Sequence, residues 1–205
     1  MTSRSRGRPS GRTGQAPILG PDEIRRVLRV LKSRSRFSAR AEVAFHMSFY
    51  LGLRAKEIAA LHWGDVFSNA FRVRDVLHLK AAYTKGSKKR DVFLSSPRLR
   101  KVLAQFAQHY PEGRKSDAPL FRSQKGGHLT AASMARFLKQ IYVEAGLASA
   151  SSHSGRRTFI TGLAERGIDL KAISVLAGHS NIRTTAMYVD NNPIRLARLL
   201  KDVSW

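Results

Sequence analysis

The apolar residues of this chain follow helical spacing except in one stretch, residues 71–94. In that stretch, short apolar segments around Leu77 and Val92 flank the tetrapeptide Lys85-Gly86-Ser87-Lys88. Two such segments on either side of a Gly/Ser-containing turn are typical of a β-hairpin. The sequence therefore predicts a mixed fold that is mainly α, with one small antiparallel β-sheet of two or three strands.

Helical periodicity accounts for most of the remaining chain. We expect helices near residues 22–32, 38–51, 54–61, 99–110, 130–145, 157–166, 170–177, 183–189 and 193–203. Residues 1–17 instead contain Ser, Gly, Pro and four arginines without an apolar period, which predicts a disordered arm. The expected organisation is this arm followed by one domain over residues 18–205.

Charge indicates the class of partner. The chain has 37 Lys and Arg against 14 Asp and Glu, a formal net charge of +23. A protein this basic repels itself unless a polyanion is close, and nucleic acid is the commonest such partner. Composition alone would fit a structural DNA- or RNA-binding protein without chemistry.

Several other classes are excluded by what the sequence lacks. It contains no cysteine, which removes disulfides, thiol nucleophiles and cysteine-ligated zinc. It has no apolar run near the roughly 18 residues of a membrane span and no signal-peptide pattern. We therefore expect no membrane partner and an intracellular location, either nucleoid-associated in a bacterial cytoplasm or phage-encoded.

A few residues along the chain carry groups suited to a phosphodiester. They are Arg54, Lys85, the pair His153 and Arg156, His179 and Tyr188. Each has an ordinary explanation when taken alone. Arg54 could pair with Glu57, Lys85 could be a solvated turn lysine, and Tyr188 could be a core aromatic residue.

Their order changes that interpretation. The segments are Gly52-Leu53-Arg54-Ala55-Lys56-Glu57-Ile58, Thr84-Lys85-Gly86-Ser87-Lys88-Lys89-Arg90, His153-Ser154-Gly155-Arg156, Leu176-Ala177-Gly178-His179-Ser180 and Thr184-Thr185-Ala186-Met187-Tyr188. In this order and approximate spacing, the chain resembles the catalytic domain of the tyrosine recombinases, also called phage-type integrases. The resemblance covers about residues 19–203.

The resemblance implies site-specific breaking and rejoining of DNA through a 3′-phosphotyrosyl intermediate, without a metal or other cofactor. It assigns the nucleophile to Tyr188, the base to His153 and the phosphate clamp to Arg54 and Arg156. Lys85 is then the general acid and His179 a further hydrogen-bond donor. Glu57, one helical turn beyond Arg54, is expected to orient an active-site side chain.

These roles make physical sense. A tyrosine has an ordinary pKa near 10, so about one in a thousand is ionised at neutral pH. The nucleophile therefore needs a base and a positive field. Guanidinium groups supply that field, since they remain charged and donate two aligned hydrogen bonds to phosphate oxygens.

Further cations are expected to contact the DNA backbone. They are Arg4, Arg6, Arg8 and Arg12 in the arm, Lys88, Lys89 and Arg90 beside the hairpin turn, and Arg157 after the His153 box. The resemblance also implies a homotetramer on two paired double-stranded sites, a monomer without DNA, and an accessory DNA-bending protein as a possible partner. The helix within residues 193–205 would dock on a neighbouring protomer, or fold back in cis.

Two departures from the family pattern stand out. Gly155 occupies a position where the family more often has a bulky apolar residue, and Arg157 one where it often has histidine. The helical core-binding domain of most family members has no counterpart, which fits either a short member or part of a longer protein. The alternatives left open are a type IB topoisomerase, a non-catalytic DNA-binding regulator on the same fold, and a structural nucleic-acid-binding protein.

Overall fold

The computed structural model describes residues 15–33, 38–84, 89–110 and 115–189. Most of the predicted arm, the hairpin turn with Lys85 and Lys88, and the predicted C-terminal helix therefore lie outside the described residues. No helix among the described residues is long and apolar enough to cross a membrane.

The predicted fold class is confirmed. The described helices are α1 (Pro21–Ser33), α2 (Ser38–Leu51), α3 (Ala55–Ala59), α4 (Trp63–Val66), α5 (Pro97–His109), α6 (Ala131–Glu144), α7 (Ser154–Glu165), α8 (Leu170–Ala177) and α9 (Ile182–Val189). The described strands are β1 (Val76–Leu79) and β2 (Arg90–Phe93), which pair antiparallel. Two details differ from the expectation: α4 was not predicted, and α7 begins at Ser154 rather than near Arg157.

The register of the small sheet determines which of its side chains point inward. Leu77 lies opposite Val92, and Leu79 lies opposite Arg90. Opposed residues share a face of an antiparallel sheet, and side chains alternate between faces along a strand. Leu77, Leu79 and Val92 are buried, so their face of the sheet is the inner one. The Arg90 side chain leaves the backbone on this same inner face.

Two hydrophobic cores organise the described residues. The main core surrounds α2, which packs against α1, α5, α6 and α7 and contributes fully buried residues such as Phe45 and Met47. The small core contains four buried residues between α7 and α8: Ile160, Ala164, Ile173 and Ala177. Helix α7 contributes to the small core with its middle, while its first turn packs against α2.

The chain then reverses sharply after α8. Gly178 adopts a left-handed conformation with φ 65° and ends the helix, a role for which glycine carries no Cβ penalty. This turn leads directly to His179 and then to α9.

Candidate active site

Arg54 is held by Glu57 at the start of α3. The Arg54 backbone N–H donates to Glu57 Oε2 at 2.7 Å, and Arg54 Nη1 donates to Glu57 Oε1 at 3.0 Å. Glu57 is fully buried, whereas a quarter of the Arg54 side chain (25%) remains exposed. The carboxylate thus fixes the arginine while leaving part of the guanidinium open to a ligand.

Arg156 lies in the first turn of α7 and is 4% exposed. Its Nη1 donates to the Gly52 carbonyl and its Nη2 donates to the Ala177 carbonyl at 2.8 Å. Burial, and then the charge of Arg54, lower the pKa of Arg156 to about 9. The group is still protonated at neutral pH, so it supplies a fixed positive charge.

Arg90 is the third arginine of this group. Its Nη2 donates to Glu57 Oε2 at 2.9 Å and its Nη1 donates to the Leu176 carbonyl at 2.6 Å. Burial lowers the pKa of Arg90, and the Glu57 carboxylate partly restores it.

The C-terminal end of α8 joins the three arginines. Its last carbonyls, on Leu176, Ala177 and Gly178, accept from Arg90, Arg156 and Arg54 respectively. The final carbonyls of a helix lack intrahelical partners and carry partial negative charge, which favours cations there. Glu57 is the only fully buried carboxylate among the described residues, since the Asp65 side chain keeps 8% of its surface exposed. Three arginines around one carboxylate leave an excess of two positive charges, which suits a phosphate.

His153 precedes the first turn of α7 and is exposed. Although much of the residue is exposed, partial burial of its ring, followed by the charges of Arg156 and Arg54, lowers the pKa of His153. A lowered pKa keeps the imidazole neutral at pH 7, the form in which it can accept a proton.

His179 and Tyr188 lie together on the turn after α8 and on α9. Their rings stack with centroids 5.9 Å apart, and Thr185 Oγ1 lies 2.7 Å from His179 Nδ1. Burial, then the charges of Arg156, Arg54 and Arg90, lower the pKa of His179 to about 4. The Arg157 guanidinium lies 5.8 Å from the centre of the Tyr188 ring.

This geometry agrees with the family to which the sequence is similar. The sequence model of the phage integrase family matches residues 17–195. The chain belongs to the phage integrase family. A similar sequence is the tyrosine recombinase XerD of Oceanobacillus iheyensis, 30% identical over 187 residues, which are 87% of this chain and 59% of that protein. The chain thus spans about three fifths of the length of this curated relative.

Solved structures show the same fold. A crystal structure of XerA recombinase has a TM-score of 0.73 at 21% identity, over 97% of this chain and 68% of that one. A post-cleavage complex of the XerH site-specific recombinase with a palindromic difH substrate has a TM-score of 0.70 at 22% identity. That match covers 90% of this chain and 52% of XerH.

For this member of the phage integrase family, the structure brings six of the predicted site residues together. After burial, the charges of Arg156 and Arg54 are the next causes that lower the pKa of both His153 and His179, and the Tyr188 phenol offsets a small part of the lowering at Arg156. Glu57 holds Arg54 through two hydrogen bonds. Their individual roles remain predictions, as does the role of Lys85, which lies outside the described residues together with Lys88, Arg4, Arg6, Arg8 and Arg12.

The remaining predicted DNA contacts differ in placement. Lys89 is exposed just before β2. Arg90 is buried against Glu57, and Arg157 donates from Nη1 to the Ala16 carbonyl at 2.7 Å. Both arginines already have protein partners, although a phosphate contact for either stays a prediction.

Gly155 is explained by its neighbours. A Cβ at this position would lie 2.6 Å from Ser48 Oγ and 3.1 Å from the Tyr142 hydroxyl. The bulky residue typical of the family would therefore collide with α2 and α6. Glycine lets the turn that carries His153 and Arg156 approach the main core closely.

Proposed function

We propose that this chain is the catalytic part of a site-specific DNA recombinase that breaks and rejoins DNA through a phosphotyrosyl bond to Tyr188. The observation that carries the proposal is the convergence of Arg54, Arg156 and Tyr188 at the end of α8. Both arginines donate to carbonyls there, and Tyr188 stacks on His179 in the turn that follows. Fixed cations at a phosphate stabilise the charge that its oxygens gain in the transition state. The net charge of +23 adds a general affinity for the DNA backbone.

Each bond that forms in the proposed reaction is matched by one that breaks. The Tyr188 oxygen forms a bond to phosphorus while its proton passes to His153. The bond from phosphorus to the 5′ oxygen breaks, and that oxygen takes a proton from Lys85. Phosphate charge is held by Arg54 and Arg156, with a hydrogen bond from His179. Because the phosphotyrosyl ester conserves the phosphodiester, attack by a 5′ hydroxyl reverses the sequence and rejoins a strand.

Double-stranded DNA is the substrate in this proposal, and four protomers on two paired sites are the active assembly. XerH, a structural neighbour, was solved with its difH substrate. Exposed apolar side chains on α8 and α9 offer a surface for a neighbouring protomer: Val175, Ile182 and Met187, which are 65%, 49% and 62% exposed. The described residues give no support to the topoisomerase or regulator alternatives.

Covalent trapping tests this function. The substrates are duplexes whose sequence comes from the DNA flanking the gene. Each has a nick close to the expected cleavage position, so that the short fragment with the 5′ hydroxyl diffuses away after cleavage and cannot be rejoined. We expect an SDS-resistant adduct in which the protein is joined to the 3′ phosphate at the break. Mass spectrometry should locate the modification at Tyr188. Tyr188→Phe should form no adduct while binding DNA with unchanged affinity.

Tyr50→Phe is the matched control, because Tyr50 lies on α2 and stacks with His46 rather than with His179. It should form the adduct at the wild-type rate. An adduct that persists in Tyr188→Phe would contradict the proposed nucleophile.

A further inference from the structure

We propose that Arg90 is a positioning residue, which holds the Arg54–Glu57 pair and the end of α8 in one fixed arrangement. This inference rests on the proposed function, since it concerns the phosphate clamp of that reaction. In this role Arg90 acts through Arg54 rather than by a contact of its own with DNA or the reacting atoms.

The first support is the way Glu57 is shared. Its Oε2 accepts from the Arg54 backbone N–H at 2.7 Å and from Arg90 Nη2 at 2.9 Å, while its Oε1 accepts from Arg54 Nη1 at 3.0 Å. A carboxylate bound at both oxygens cannot rotate without losing a bond to one arginine. Arg90 thereby restricts the orientation that Glu57 imposes on Arg54.

The second support is the contact between Arg90 and Gly178. A Cβ on Gly178 would lie 2.5 Å from both Cδ and Nε of Arg90. The Arg90 side chain therefore packs directly against the turn that leads to His179. Its Nη1 donates a hydrogen bond to the Leu176 carbonyl at 2.6 Å. One side chain thus links β2, α3 and the end of α8.

Its burial separates this role from a DNA contact. The Arg90 side chain is 9% exposed, compared with 25% for Arg54. Both terminal nitrogens of Arg90 already donate to protein oxygens. Arg54 keeps the more exposed guanidinium, as a group that meets phosphate requires.

Arg100 provides a matched control for a purely structural arginine. It also pairs with a carboxylate, Asp75 Oδ1 at 2.9 Å, and donates to the carbonyls of Val73, Arg74 and Leu94. None of these partners belongs to the candidate site. Arg100→Met therefore removes a comparable set of bonds without affecting the clamp.

Single-turnover cleavage of the nicked duplex tests the effect on the reaction. We expect Arg90→Met to lower the cleavage rate by roughly tenfold to a hundredfold, because small displacements of a clamp are costly, with little change in DNA affinity. Arg90→Lys should recover part of the rate. Arg100→Met should cleave at the wild-type rate, even if its melting temperature falls.

A double-mutant comparison tests the route through Arg54. In an Arg54→Ala background, Arg90→Met should lower the rate by less than about threefold, because its effect requires Arg54. Multiplicative losses would overturn the proposal. A fall in DNA affinity without a fall in rate would also overturn it and would support a phosphate contact.

A third measurement does not depend on cleavage. In NMR spectra, rotation of the Arg54 guanidinium should be slow in the wild type and in Arg100→Met, and faster in Arg90→Met. Unchanged rotation in Arg90→Met overturns the inference whether or not the chain cleaves DNA. If rotation responds as expected but the wild type forms no adduct, the positioning role stands and the proposed reaction fails.

Discussion

The cluster of Arg54, Arg90 and Arg156 and the helix that carries Tyr188, the proposed nucleophile, are built in different ways. Arg54, Arg90 and Arg156 each donate to at least two protein acceptors, and α3 and the first turn of α7 rest on the main core. Tyr188 packs against the small core. Among the described residues, none forms a hydrogen bond to its hydroxyl.

This difference suits the proposed chemistry. Electrostatic stabilisation works best when the charges are fixed before the reaction begins. A nucleophile on a small, partly exposed unit can instead move into position for attack on the phosphate at a later step. Local units with few buried contacts open most readily. The comparison indicates a preset clamp and an adjustable tyrosine.

The largest expected effect comes from deleting buried methyl groups in each core. Ile58 in the main core and Ile173 in the small core are both fully buried. Ile58→Ala should lower the free energy of unfolding by about 2–5 kcal/mol in urea titrations followed by circular dichroism. Ile173→Ala should lower it less, because the loss cannot exceed the free energy needed to open α8 and α9 locally.

The same pair should differ in hydrogen exchange. Ile173→Ala should speed exchange in α8 and α9 while leaving α2 protected. Equal losses of global stability in the two variants, with exchange raised throughout, would show that the two cores unfold as one unit.

A smaller effect is expected at the point where α7 meets the main core. Gly155→Ala brings a methyl group within 2.6 Å of Ser48 Oγ, and such overpacking costs about 1–3 kcal/mol. Adding Ser48→Ala should recover part of that stability. The measurement is the urea midpoint, together with the cleavage rate that reports on His153 and Arg156.

Gly162→Ala is the control on the small-core half of the same helix. A Cβ there would have no atom within 4 Å, so the variant should gain about 0.5–1 kcal/mol from helix propensity. A loss at Gly162, or no loss at Gly155, would contradict the packing described for α7.

The smallest predicted loss of stability is the response of the main core to acid. Burial lowers the pKa of His46 from 6.5 to about 4, and its Nδ1 donates to the Glu42 carbonyl at 2.7 Å. The unfolded chain therefore binds the proton more tightly, so stability is present above the unfolded pKa and is lost as pH falls below it. Between pH 7 and pH 5.5 this amounts to about 1 kcal/mol.

His46→Leu tests that assignment. Its unfolding free energy should fall less than that of the wild type over the same pH interval. An identical pH dependence in both proteins would show that His46 does not contribute.

The sequence-based predictions succeed where the signal is local. Helical periodicity located most helices, and ordered boxes brought Arg54, Arg156, His179 and Tyr188 into one hypothesis. The start of α7 was missed because its first turn, Ser154, Gly155 and Arg156, is buried without being apolar, and its N-cap residue His153 makes no side-chain cap hydrogen bond. Neither an apolar period nor a capping residue therefore marks this helix start.

Long-range contacts account for what else was missed. Arg90 meets Glu57 and Leu176 across 33 and 86 residues of sequence, and a run of basic residues favoured a DNA contact instead. One signal was available: Arg90 is in phase with Val92, the inward-facing residue of β2. The contacts of Gly155 with α2 and α6 left no comparable trace, because they depend on how three helices pack.

Native-state hydrogen exchange tests the contrast between the two regions most directly. Amide exchange is followed at rising urea concentrations for α2, α3 and the first turn of α7, and separately for α8 and α9. We expect α8 and α9 to open at a lower free energy, with little urea dependence, while α2, α3 and the first turn of α7 exchange only on global unfolding. Equal opening free energies with the same urea dependence would contradict a preset clamp beside an independently adjustable nucleophile.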